Sequence, residues 1–189
     1  RVDANGLPLL DGSYNNAGNE VKTDQGVLSS EAFTADAGPL DPRIDFSIGR
    51  RGIPYLDWKV FPGSDWSRDE AYAVPYAPKK YIYYKSQEGT FTDGSGWTRG
   101  YPAMNVLIIR YADVILMAAE AEVELGNLEA ARALVNQVRA RAANPASWVK
   151  RSDGSNAANY VIGLYNTPWG DVATARAAVR FERKLELSG

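Results

Sequence analysis

The stretch that most constrains this chain lies between residues 104 and 142, where apolar side chains recur at helical spacing on either side of a single glycine. Met104, Leu107, Ile108, Tyr111, Val114, Ile115, Ala118, Ala121 and Leu125 form one stripe, and Ile109, Ala112, Leu116, Ala119 and Val123 form a second. Spacings of three and four residues put each set on one face of a 3.6-residue helix, so the pattern predicts a helix from Met104 that is covered on two sides. Its polar row is Arg110, Asp113, Glu120 and Glu124. Gly126 can take the left-handed conformation that ends a helix, and Asn127 is a favoured cap for the next. That next helix carries the stripe Leu128, Ala131, Val135, Val138 and Ala142. Two helices joined so tightly must run antiparallel.

Asn144-Pro145 ends the second helix, and a loop with Asp153-Gly154 and Thr167-Pro168 leads to a third, capped by Asp171 and spanning 171–188. Residues 103–189 therefore read as a helical scaffold. Residues 1–102 differ in kind, because turn formers such as Asp11-Gly12, Gly38-Pro39, Phe61-Pro62-Gly63 and Asp93-Gly94-Ser95-Gly96 interrupt every run. A loop-rich segment, and a candidate ligand face, is expected there. It would contain a short helix capped by Ser29 or Ser30 and reaching Ala35, and a short strand at Tyr81-Ile82-Tyr83-Tyr84. The expected fold class is mainly α, with helical pairs and long irregular loops, in one incomplete domain.

Composition narrows the chemistry. The 189 residues include no cysteine and no histidine, which removes thiol nucleophiles, imidazole bases and the usual zinc, haem and iron–sulfur ligands. No metal or cofactor is expected. A net charge of -2 supplies no drive toward phosphate backbones, so nucleic acid is not an expected partner. No run reaches the ~18 consecutive apolar residues of a membrane span, and no hydrophobic signal region follows Arg1.

Small residues at Ala112, Gly126 and Ala131, with Leu116 and Leu125 between them, resemble one tetratricopeptide unit. The wider string is more specific. Asn105, Arg110-Tyr111-Ala112-Asp113-Val114, Leu116-Met117, Ala119-Glu120-Ala121, then Asn136, Arg139 and Arg141-Ala142, resemble the signature of the SusD/RagB family. Asp41-Pro42-Arg43 and the run Gly49 to Trp58 are similar to another stretch of that family, and Arg180, Glu182-Arg183 and Glu186-Leu187 to its arginine-flanked ER..EL helix. The resemblance implies a mostly helical, tetratricopeptide-like scaffold with the ligand surface on loops. It implies a non-catalytic protein, lipid-anchored at the outer membrane and cell surface, that captures oligosaccharides or other nutrients for a TonB-dependent, SusC-like transporter. Family members are several hundred residues long and begin with a lipoprotein signal and anchoring cysteine, so the resemblance also implies an internal-to-C-terminal fragment of a larger α fold.

Five tryptophans and eleven tyrosines suit glycan capture, since an aromatic face packs on the apolar face of a pyranose. Trp66, Tyr72, Trp97 and Tyr101 lie in turn-rich, polar surroundings and are the candidate ligand-binding residues, Trp66 and Trp97 first. Tyr55 and Trp58 belong to a family string and are expected to anchor core or loop. Arg50, Arg110, Asp113, Arg139, Glu182 and Arg183 recur in the family strings and are expected to pair helices rather than to read sugar. Glu120, Glu122 and Glu124 offer carboxylates, but glycoside hydrolysis needs two of them ~5 Å or ~6.5–9.5 Å apart around a cleft, and a solvated or helix-pairing face is the plainer reading. Asp93-Gly94-Ser95-Gly96 and Asp153-Gly154-Ser155-Asn156 lack the alternating acidic ligands of calcium loops and read as turns. Two rival functions stand beside glycan capture: a protein–protein interaction scaffold and, with less support, a glycoside hydrolase.

Overall fold

The computed structural model describes residues 1–73, 75–93 and 101–188. Its second half is three helices around one core: α3 (Tyr111–Glu124), α4 (Leu128–Ala142) and α5 (Val172–Leu187), preceded in the chain by the single-turn helices α1 (Ile44–Ser47) and α2 (Glu70–Ala73). α3 and α4 form an antiparallel hairpin, and α5 packs on both. Ile115, Leu116, Ala119 and Val123 of α3 meet Ala131, Val135 and Val138 of α4 and Ala175, Ala178 and Val179 of α5. Alanines at the centre let the helix axes approach closely, and each buried valine or leucine contributes roughly 1.5–3 kcal/mol. Tyr165 and Trp169 close one end of this core.

The helix ends follow local chemistry. Gly126 sits at φ 80, the left-handed position that turns α3 into α4. Asp171 caps α5 by accepting from the Thr174 amide at 2.8 Å. Asn127 does not cap α4; its amide donates to Glu122 Oε2 at 2.7 Å instead.

The helix expected from Met104 starts at Tyr111. Arg110 is extended, and Val106, Leu107, Ile108 and Ile109 lie exposed before it. Short helical segments need tertiary burial to persist, and three of these four residues are β-branched. Among the described residues nothing covers them. The expectation of coverage on two sides fails for the same reason: Tyr111, Val114, Met117 and Leu125 are exposed, and only the face centred on Leu116 and Ala119 is buried.

The first half is loops joined by three antiparallel two-stranded ribbons: β1 (Ile48–Gly49) with β4 (Ala77–Pro78), β2 (Pro54–Tyr55) with β3 (Lys59–Val60), and β5 (Thr92–Asp93) with β6 (Tyr101–Pro102). Leu40 ties this half to the second, since its amide donates to Asn159 O and its carbonyl accepts from Val161 N. A satellite cluster of Ile53, Ala157 and Tyr160, with Trp148 against it, seals the junction. No helix forms at 29–35, because Ser29 is committed elsewhere: its amide donates to Ser64 Oγ at 2.8 Å and its hydroxyl accepts from Asp65 N at 2.9 Å. Nor is 81–84 a strand. Tyr81 has φ 62, incompatible with extended backbone, and Tyr84 leads into a 3₁₀ turn at Lys85–Gln87.

Candidate functional site

The loops that could meet a ligand are held by two buried ionic clusters. In the first, Arg43 grips Asp41 with two donors at 2.9 and 2.7 Å and reaches Glu182 at 2.6 Å and Glu186 at 3.2 Å. Arg139 takes the other Glu182 oxygen at 2.7 Å and donates to the carbonyls of Gly163 and Gly6. Arg110 and Arg141 both end on Glu186, at 2.6 Å. Burial would raise the Asp41 carboxyl, but hydrogen bonds and charge from Arg43 hold it below the usual carboxylate range. In the second cluster, Asp45 takes a bidentate grip from Arg50 at 2.7 and 2.9 Å and a hydrogen bond from Tyr160 Oη at 2.6 Å. Lys79 donates to the carbonyls of Asp45 and Pro54. These contacts fasten the 41–55 loop and β4 onto α5 and the 157–163 segment.

On that platform stands an aromatic ledge. Trp66 is 39% exposed and meets Tyr55 and Phe61 edge-on, with ring centroids 5.3 Å from each. The Lys59 ammonium lies 5.0 Å from the Trp66 ring centroid. Tyr55 is buried and its hydroxyl donates to Pro78 O, while the Trp58 indole donates to Tyr83 O at 3.0 Å. Tyr72 on α2 is 92% exposed. Tyr101 stands in β6, and Trp97 lies outside the described residues. The structure places Trp66 and Tyr72 on one loop-and-helix stretch; it does not bring Tyr72 into ring contact with Trp66 among the described residues. Sequence reading missed Lys59 and Phe61, although both lie a few residues before Trp66 in the chain.

A separate cleft of about 570 Å³ opens between α1, the 104–108 segment and the end of α5. Phe46, Tyr81, Met104 and Leu107 give it apolar walls, and Lys80, Arg110 and Arg141 give it cations. Neither Trp66 nor Tyr72 lines it. Lys80 donates to the Ser188 carbonyl, and burial, then Arg110, lowers its pKa.

The α3 glutamates are engaged elsewhere. Glu120 accepts from Arg180 at 2.8 Å and lies 3.7 Å from Arg183, Glu124 pairs with Arg176 at 2.7 Å, and Arg183 also reaches Asp113 at 2.7 Å. This is a ladder along the α3–α5 seam, and none of Glu120, Glu122 and Glu124 lines the 570 Å³ cleft. Asp153 folds back on the Ser155 amide and hydroxyl as a local turn.

A sequence model described as the SusD family matches residues 7–189, nearly the whole chain and all of the architecture above. The chain belongs to the SusD family. A comparison with curated proteins gives no match. SusD-family membership agrees with the helix-rich fold with few short strands. SusD-family proteins are generally non-catalytic binding proteins for nutrients and glycans, work with SusC-like transporters, and are typically surface lipoproteins of the outer membrane. In this SusD-family chain no described helix is long and apolar enough to cross a membrane.

Proposed function

We propose that this chain captures oligosaccharides at the outer-membrane surface, without catalysis, as part of a lipid-anchored protein that delivers them to a TonB-dependent, SusC-like transporter. The observation that carries the reading is the Trp66 ledge within a SusD-family fold. Its ring is immobilised by Tyr55 and Phe61 yet keeps exposed surface, which lets it stack on a sugar at little further cost in side-chain entropy. Tyr72, Trp97 and Tyr101 are proposed to extend the ligand face, and α3–α4 to be a tetratricopeptide-like unit beneath it. Calorimetry of the chain against a panel of neutral and acidic oligosaccharides tests the reading. A member of the panel is expected to bind, and Trp66→Ala to weaken it by about five- to thirtyfold, in line with the ~1–2 kcal/mol of an aromatic contact. Undiminished binding by Trp66→Ala would move the site away from the ledge, and no binding across the panel would remove glycan as the nutrient.

A second reading, an interaction scaffold that docks the transporter, is supported by the exposed row Tyr111, Val114, Met117 and Leu125 on α3. Uptake left unchanged by alanine at Trp66 and Trp97 would favour it.

A further inference from the structure

The turn at residues 24–27 and the segment 63–70 are sewn together, and both carry buried oxygens with no hydrogen-bond partner. These are Asp24 Oδ2, Ser67 Oγ and Glu70 Oε1. Asp24 is 1% exposed. Gly63 presses on its carboxylate: a Cβ at Gly63 would lie 2.4 Å from Asp24 Oδ2, and Gly63 takes φ 91, a conformation that side chains rarely adopt. Glu70 comes to the same turn by accepting from the Gly26 amide at 3.1 Å through Oε2, which leaves Oε1 unpartnered. Ser29 and Ser64 join the two segments at their other end.

We propose that Asp24, Glu70 and Ser67 hold a hard divalent cation of the calcium class, clamping the 24–27 turn to the segment that carries Trp66.

A buried carboxylate oxygen without a donor is costly, so an occupant that supplies positive charge to it is favoured. Arg51 is the nearest cation, but its Nη1 is 4.0 Å from Asp24 Oδ2 and its hydrogen bonds go to the carbonyls of Leu28, Ser29 and Glu31. Two carboxylates against that one guanidinium leave a net negative charge. Every unpartnered atom is an oxygen, which suits calcium or magnesium rather than a transition metal. The longer reach and looser geometry of calcium fit two carboxylates from separate segments better than the strict octahedron of magnesium. Among the described residues no three acidic side chains converge on one point, so water completes the shell and affinity falls in the weak range of ~10⁻⁴–10⁻³ M. The cation would fix the position of Trp66 without touching ligand, and the proposal stands whether or not the chain binds glycan.

The test uses the whole chain and calcium chloride alone, against a chelated control. At calcium about tenfold above the dissociation constant, the thermal midpoint is expected to rise by ~3–6 °C. Asp24→Asn and Glu70→Gln should each abolish that rise while still unfolding cooperatively without calcium. Terbium, a calcium mimic excited through nearby tryptophan, should luminesce in the native chain, be competed by calcium, and fall silent in both variants. No calcium-dependent rise in the native chain overturns the proposal, as does a rise or a terbium signal that both variants retain, which would mean an ion bound elsewhere.

Discussion

Glu182 has no exposed surface, and its two oxygens are divided between Arg43 and Arg139. A charge so enclosed is tolerated only because each of its two oxygens meets a guanidinium donor, and the same condition governs Asp41 on the other side of Arg43. Asp41 gives the measurable case. Its carboxyl titrates at lower pH in the folded chain than in the unfolded one, so the stability it contributes is present above the unfolded value of about 3.9 and is lost as pH falls through the folded value. Asp41→Asn is therefore expected to cost roughly 3 kcal/mol at pH 7 and progressively less in acid, checked by urea unfolding across that range. A cost independent of pH would mean that the Asn fails by shape rather than by charge. Residues such as Arg139 and Glu182 could be singled out in the sequence as members of recurring strings. Their pairing could not, because Gly6, Arg43 and Gly163 are brought to them only by the folded loops.

Among the elements, α4 and α5 were the most legible, α4 from its single apolar stripe and α5 from the Asp171 cap that opens it. α3 was legible in its middle and misread at its start, where periodicity continues through 104–109 but burial does not. Apolar spacing states which residues would share a face; whether that face is covered depends on what lies opposite. Two leucines of α3 make the distinction testable. Leu116 is fully buried and Leu125 is exposed. Leu116→Ala should destabilise by about 2–5 kcal/mol through lost burial and the cavity left behind, whereas Leu125→Ala should stay within about 0.5 kcal/mol. Thermal or denaturant unfolding of the two variants decides it, and equal losses would mean that Leu125 is covered in solution. The ribbons β1–β6 left almost no trace in sequence, because two-residue strands have no periodicity to detect and are set by the contacts of the loops around them.

At the scale of the whole molecule, the core covers one face of α3, and an exposed apolar run precedes that helix. Ile108 is 92% exposed, next to Val106, Leu107 and Ile109. Contiguous apolar area of this kind drives association. Sedimentation of the isolated chain at rising concentration is expected to show self-association that the double variant Val106→Asn, Ile108→Asn suppresses, with little change in thermal midpoint. A monomeric native chain at all concentrations would show that the patch is closed in solution. The broad division into irregular first half and helical second half could be read from turn formers and stripes, but the Trp66 ledge could not: Trp66 is placed by Tyr55 and Phe61, and Tyr55 is tied to the Asp45 cluster through Lys79. Arg43 finds its Glu182 partner 139 residues further along the chain. On the ribosome, which releases the chain from its amino end, the loops around Arg43 therefore emerge long before the helix that neutralises them. They lack their α5 contacts until that helix is made, so this half is most vulnerable to proteases and to mispairing during synthesis, when Glu182 and Glu186 do not yet exist.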